Sequence, residues 1–410
     1  MLDQRGRAMA QLELPGMLAR EAGTREGYRL VELYIGPQHP ASGHMRLIVY
    51  LDGDRIVRVD PDIGYVHRTM EKLSEIREWV RIVGLVERMT IIDSCNVTLP
   101  FVEAVEKLLG IEPPPRARYL RTILCEVNRI ASHLYGLGLG GIFLNHSTMF
   151  MWAFGDREVF IHLATLLTGA RLTHTYAIPG GVRRDLPQVF RDEFEKAKRY
   201  MLRRLKEYED IFVKNPVVRG RLENVGVLPK HKAIELGVTG PNLRASGVVY
   251  DARLTGYAAY SELDFTPVVG EAGDALERIL VRVEEIKVSL DLIEQALKRL
   301  PEGPFFHERF AKMVPPNMKH WFEKGRVKLP GGYVRLRPAR GEILTRAEMG
   351  HGEITYYIVS KGEFKPYRVR IITPSFRNVI LFMTLPVGHT LMDLPAIYGS
   401  IDYFPPESDR

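Results

Sequence analysis

Apolar residues change their spacing twice along the chain, and the two changes divide it into three regions. Residues 30–35 and 45–59 are rich in Val, Ile and Leu, and Leu51-Asp52-Gly53-Asp54-Arg55 between two apolar runs reads as a hairpin turn. From residue 69 the apolar steps lengthen to three and four. That helical spacing runs through 102–109 and, after Pro113-Pro114-Pro115, through 118–137, and it predicts further helices near 156–170, 187–213 and 271–300. Asp274 is placed to cap the last of these, and Pro301 lies just past its end. β-branched alternation returns at 333–338, 354–360 and 367–372, with Gly331-Gly332 and Lys361-Gly362 as turns. The expectation is an α+β chain: an extension over 1–28, a β-element over 29–68, a central helical bundle over 69–302, and a second β-element with a tail over 303–410. A loop running from Pro301 to Pro316 separates the helices from the second sheet.

Composition narrows the class. With 410 residues and 45% hydrophobic content the chain can bury a large core. No uncharged stretch approaches the roughly 20 residues of a membrane span, and residues 1–28 lack the apolar centre of a signal peptide. The most apolar windows, 134–144 and 379–387, are short and broken by Gly or Pro; they read as buried core, with contact to a membrane partner as the alternative. The formal charge of +7 comes from Lys and Arg interleaved with acids, as in 191–210, which argues against a nucleic-acid partner. Cys95 and Cys125 are too few for a disulfide framework or a cluster motif, so a reducing cytoplasmic setting fits and any iron–sulfur cluster must sit on a partner. Scarce Asn and Gln beside abundant Arg, Lys and Glu lean toward a thermophilic source.

Short signatures in order along the chain carry a resemblance. Gly36-Pro37-Gln38-His39-Pro40, Ile63-Gly64-Tyr65-Val66-His67-Arg68, Val105-Glu106-Lys107-Leu108-Leu109-Gly110, Leu243-Arg244-Ala245-Ser246-Gly247, Ala339-Arg340-Gly341-Glu342 and Asp409-Arg410 resemble the large subunit shared by respiratory complex I and membrane-bound group 4 [NiFe]-hydrogenases. The resemblance implies the [NiFe]-hydrogenase large-subunit fold. It also implies a small [4Fe-4S] subunit as partner, a complex I-like accessory hydrophilic subunit, and membrane-arm subunits that pump protons or sodium ions. The chain would then lie peripherally on the cytoplasmic face of the membrane. Its cavity would be walled by the loop of the first β-element, the stretch around Arg88 and the C-terminal tail.

Individual positions separate the branches of that family. Hydrogenases carry two Cys-x-x-Cys pairs where this chain has Thr90, Asp93, Phe404 and Glu407, and these side chains cannot bridge nickel and iron as thiolates do. Quinone-reducing members place a histidine and a tyrosine where Gly43 and Ile91 stand, and an isoleucine donates no hydrogen bond. The chain is most similar to the archaeal, ferredoxin-driven branch that reduces sulfane sulfur, whose large subunit also ends Glu-x-x-Arg, here Glu407-Ser408-Asp409-Arg410. No cofactor is expected on this chain. By resemblance Arg88 and His174 lie near the partner's [4Fe-4S] cluster. Asp93 and Glu407 form a carboxylate pair able to supply a proton, unless Arg410 neutralises Glu407. His44 serves as a proton carrier or a turn stabiliser, and Arg340 projects into the cavity or holds a strand end. Tyr65 and His67 belong to the junction with the membrane arm, and Cys95 is a small buried hydrophobe. A quinone-site subunit and a noncatalytic coupling scaffold stay open as alternatives.

Overall fold

The computed structural model describes residues 17–25, 28–38, 43–311 and 335–410. His39, the turn at 331–332, Tyr333 and Pro315-Pro316 lie outside the described residues. Side chains are described from residue 30 to 309 and again from 335, apart from 39–42.

Four strands open the fold, β1 (Met17–Arg25), β2 (Tyr28–Ile35), β3 (Arg46–Asp52) and β4 (Arg55–Asp62), paired antiparallel in chain order. β1 occupies residues read from sequence as an extension; its Glu, Arg and Gly content hides the strand, which is drawn out by pairing with β2. The hairpin at 52–55 is present, and β3 alternates as expected, with Leu47, Val49 and Leu51 buried beneath the sheet. These side chains pack with Leu381, Phe382, Ile397, Ile401 and Tyr403, so the first sheet is the bed on which the C-terminal tail lies.

The centre is helical: α1 (Met70–Ile76), α2 (Trp79–Val86), α3 (Ser94–Leu109), α4 (Pro115–Phe143), α5 (Ser147–Thr168), α6 (Phe190–Tyr208) and, after a run of short helical segments, α7 (Ala275–Arg299). Asp274 caps α7, its carboxylate accepting from the Glu277 N–H at 2.8 Å. The 29 residues of α4 form the axis against which α3, α5 and α7 pack. The buried polar side chains Arg121 and His133 of α4 are partnered: Arg121 grips Glu106 at 2.6 and 2.9 Å, and His133 meets Glu285 at 2.8 Å. Among the described residues no helix is long and apolar enough to cross a membrane.

The second sheet holds β5 (Gly341–Met349), β6 (Gly352–Ser360) and β7 (Arg368–Ile372), antiparallel in chain order. β6 and β7 match the sequence expectation. β5 does not: the strand expected at 333–338 is, in its described part, irregular, and the true strand begins at Gly341. Gly-Glu-Ile-Leu-Thr-Arg-Ala-Glu-Met carries helix formers and no clean alternation, so its extended form comes from pairing with β6. The tail ends in α8 (Leu394–Ile401) and α9 (Pro405–Asp409).

The β5–β6 turn, Gly350-His351, is driven into the helical core. Gly240 makes this possible, since it has φ +73 and a Cβ there would sit 2.4 Å from the His351 carbonyl oxygen and from the Gly352 Cα. We expect Gly240→Ala to destabilise the fold by about 1–3 kcal/mol or more through overpacking against backbone, read as a lowered midpoint in thermal unfolding.

Candidate functional site

Thr90, Asp93, Phe404 and Glu407, distant in sequence, meet around His351. Thr90 and Asp93 come from the short turn between α2 and α3, Phe404 and Glu407 from the start and body of α9, and His351 from the β5–β6 turn. Glu407 has no exposed surface. Its Oε1 accepts from the Ser375 N–H at 2.7 Å, and its Oε2 receives the Thr90 hydroxyl at 3.1 Å and His351 Nδ1 at 2.7 Å. The His351 ring stacks on Phe404 with centroids 6.0 Å apart, while its Nε2 faces the Asp402 Oδ2 at 3.7 Å. Asp402 in turn lies 3.4 Å from the Arg282 Nε. Asp93 accepts from the Gly350 N–H at 2.8 Å and the Asn96 amide at 2.7 Å, again with no exposed surface.

Electrostatics follow from burial and these partners. Burial pushes the Asp93 carboxyl upward, beyond what Arg129, its two donors and His351 offset. Burial alone would lower His351, but the carboxylates of Glu407 and Asp402, the hydrogen bond to Glu407 and the charge of Asp93 outweigh it and lift the imidazole to about 9. At neutral pH His351 is therefore a cation paired with Glu407. Sequence reasoning missed it. It kept Arg340 of Arg340-Gly341-Glu342 as one candidate for the cavity, and since x-Gly-Glu also occurs at 269–271, 351–353 and 361–363, the motif alone does not point to His351.

Of the two readings of Arg340, the structure does not bear out projection into the cavity. Arg340 is exposed at the outer end of β5, and the nine residues of that strand separate it from Gly350 by about 30 Å at ~3.3 Å per residue. The adjoining Ala339 N–H bonds the Leu108 carbonyl at the far end of α3 from Asp93, which gives the same answer. Arg410 also differs from expectation. Its guanidinium covers the Phe376 ring at 4.2 Å and donates to the Ile371 carbonyl at 2.7 Å, so the Glu407 charge is met by His351 and not by Arg410.

Arg88 and His174 form a second group beside the first. Arg88, half exposed, pairs with the buried Glu87 at 2.9 Å. Glu87 also accepts the Thr175 N–H and hydroxyl, both at 2.6 Å, which fixes the loop carrying His174. Burial drives His174 down to about 4, so it is neutral. The Asn128 amide lies 3.1 Å from its Nε2 and the Ala170 carbonyl 3.2 Å from its Nδ1, an arrangement that places the proton on Nδ1. Arg68 ties this surface to the tail, donating to the Arg88 carbonyl at 2.8 Å and to the Pro406 carbonyl at 3.4 Å. His44 is exposed with φ 75, next to Gly43, whose nearest neighbour is Pro405 of α9. Ile91 is 41% exposed beside Arg88. Tyr65 bonds Asp62, and His67 is bound to the Asp409 carbonyl, so that histidine stitches the tail down. Cys95 is buried, with its sulfur 3.2 Å from that of Cys125.

As a metal cradle the four positions do not serve. The carboxylate oxygens of Asp93 and Glu407 are already engaged by backbone, amide, hydroxyl and imidazole donors, and Phe404 offers no lone pair.

Residues 144–410 match the family described as the respiratory-chain NADH dehydrogenase 49 Kd subunit. The chain belongs to this complex I 49-kDa subunit family. It is 38% identical to NADH-quinone oxidoreductase subunit 4 of Thermus thermophilus, covering 97% of this chain and 98% of that one. It is 36% identical to a subunit of the F(420)H(2) dehydrogenase of Methanosarcina mazei, over 92% and 97%. A solved chain of the membrane-bound sulfane sulfur reductase, an archaeal respiratory membrane complex, superposes with a TM-score of 0.83 at 38% identity, over 92% of this chain and 98% of that one. The fold is thus that of the 49-kDa and [NiFe]-hydrogenase large subunits, within an oxidoreductase family.

Removing one partner of a buried ion pair strands the other charge, a loss of about 3–5 kcal/mol. We expect Glu407→Ala to cost that much, and Glu407→Gln to cost clearly less because it keeps an acceptor for Ser375 and Thr90. Equal losses in calorimetry would show that the acceptor for Ser375 and Thr90 does not matter and that the lost charge carries the whole effect.

Proposed function

We propose that this chain is the large subunit of a membrane-bound, ferredoxin-driven, ion-pumping respiratory complex, forming with a [4Fe-4S] small subunit the site that reduces sulfane sulfur in polysulfides. One observation carries this reading. The four positions that hold metal thiolates in hydrogenases converge here on a buried histidine–carboxylate pair, while Gly43 and Ile91, both on the exposed surface beside it, lack the donors a quinone head group would need. The similarity to the sulfane sulfur reductase chain supports the same branch, although quinone-linked relatives are equally identical in sequence.

Cleaving a sulfur–sulfur bond to two thiols consumes two electrons and two protons. The partner's cluster would supply the electrons one at a time. This chain's residues fit a supporting part: Arg88 presents an exposed guanidinium that attracts an anionic polysulfide and favours added charge nearby, and neutral His174 lies behind it as a group able to take a proton when negative charge arrives. The chain would sit peripherally on the cytoplasmic face, held by membrane subunits, with an accessory hydrophilic subunit as a further partner and ferredoxin as electron donor to the complex.

The purified complex is expected to oxidise reduced ferredoxin with dimethyl trisulfide as acceptor, and Arg88→Ala to lower that turnover about tenfold or more, in line with the loss of one preorganised charge. Rapid oxidation with a short-chain quinone and none with the trisulfide would reverse the assignment in favour of a quinone-site subunit.

A further inference from the structure

We propose that His351, clamped through Nδ1 by Glu407 and facing Asp402 through Nε2 at the meeting point of three chain segments, is the proton-holding positioning residue of this site. The inference deepens the reading above and rests on the chain being a turnover subunit, but not on which acceptor it reduces.

The geometry separates the two ring nitrogens. Nδ1 is committed to Glu407 at 2.7 Å, a charge-assisted bond that fixes the ring and persists whether or not the second nitrogen carries a proton. Nε2 makes no hydrogen bond within the described residues, yet points at the Asp402 Oδ2, which is also buried and without a hydrogen-bonded donor. A proton on Nε2 can therefore leave without breaking the clamp. The surrounding groups set how tightly it is held. Glu407 from α9, Asp402 at the end of α8 and Asp93 at the start of α3 hold it by their negative charge. Arg282 of α7 opposes them through Asp402, and Arg129 of α4 acts in the same direction through Asp93. Thr90 adds a neutral donor to Glu407 and no charge.

The ring is almost wholly buried, so it acts through its neighbours. Its positive form offsets negative charge arriving at the adjoining surface. On giving up the Nε2 proton to the Asp402 carboxylate that it faces, the ring becomes neutral and Nδ1–H still donates to Glu407. One proton moves and no bond between heavy atoms changes. This is the role a bound metal ion would otherwise fill as the fixed local cation, taken over by a group that titrates.

The sign of the pH dependence follows. A histidine raised above its ordinary value of ~6.5 contributes fully below that pH and loses its contribution as pH rises through the elevated value, here about 9. The test uses the whole complex with whichever acceptor, trisulfide or quinone, it turns over. Wild-type turnover is expected to fall on an alkaline limb near pH 9 with a slope of about tenfold per unit, as for loss of one proton. Glu407→Gln should move that limb down by about one unit or more, since an opposite charge in contact shifts a pKa by that amount. His351→Arg, which fixes the cation, should abolish the limb below about pH 10, while His351→Gln should depress turnover near neutral pH without a limb. A wild-type profile flat to about pH 10 overturns the proposal, and so does a limb that Glu407→Gln and His351→Arg leave in place. Failure of trisulfide turnover alone would sink the sulfur reading and leave this result standing.

Discussion

The architecture turns on one requirement: a carboxylate taken wholly out of water must be met by donors and by opposite charge. Glu407 is such a carboxylate. Its partners come from the α2–α3 turn, from the β5–β6 turn and from the segment after β7, so satisfying one side chain fixes three elements at once. The first sheet supports the same tail from below through an apolar contact, and Arg68 clasps it from the side. Tail, turn and helical core are therefore held by polar contacts that each have a single geometry, where an apolar interface alone would tolerate sliding.

Two buried histidines show how the surroundings decide a charge. His174 has only amide, hydroxyl and carbonyl groups around it, so burial prevails and the ring is neutral. His351 has three carboxylates around it, so charge prevails over burial and the ring is positive. The same side chain thus supplies a neutral acceptor on one side of the Arg88 loop and a cation on the other. Divergent protonation within one site is the usual mark of a place where protons are handled.

Much of this was legible in the sequence. Helical spacing located α4 and α7, and turn and capping residues located the β3–β4 hairpin and the Asp274 cap, because these elements are stabilised by local preferences that agree with their burial. The loss of all four cysteines from the cradle could be read directly, and the structure does bring those positions together. What could not be read was whatever depends on pairing. β1 and β5 are made of residues that favour other conformations and become strands only against β2 and β6. Without β5 the turn at Gly350-His351 has no visible reason to enter the core, so nothing in the sequence singles out His351 over Arg340. Arg410 is misleading for a related reason: a sequence shows that an arginine and a glutamate are close in number, but not that a histidine from elsewhere reaches the carboxylate first.

The bond between Thr90 and Glu407 spans 317 positions of sequence. A growing chain emerges from the ribosome in order, so α3, α4 and the first sheet are made long before their closing partner exists. Until residues 402–410 appear, Asp93 and His351 have no lid above them, and the first sheet exposes the apolar face on which the tail will rest. Assembly of the interior thus has a late closing step, in which residues made after both sheets and the helical centre seal them.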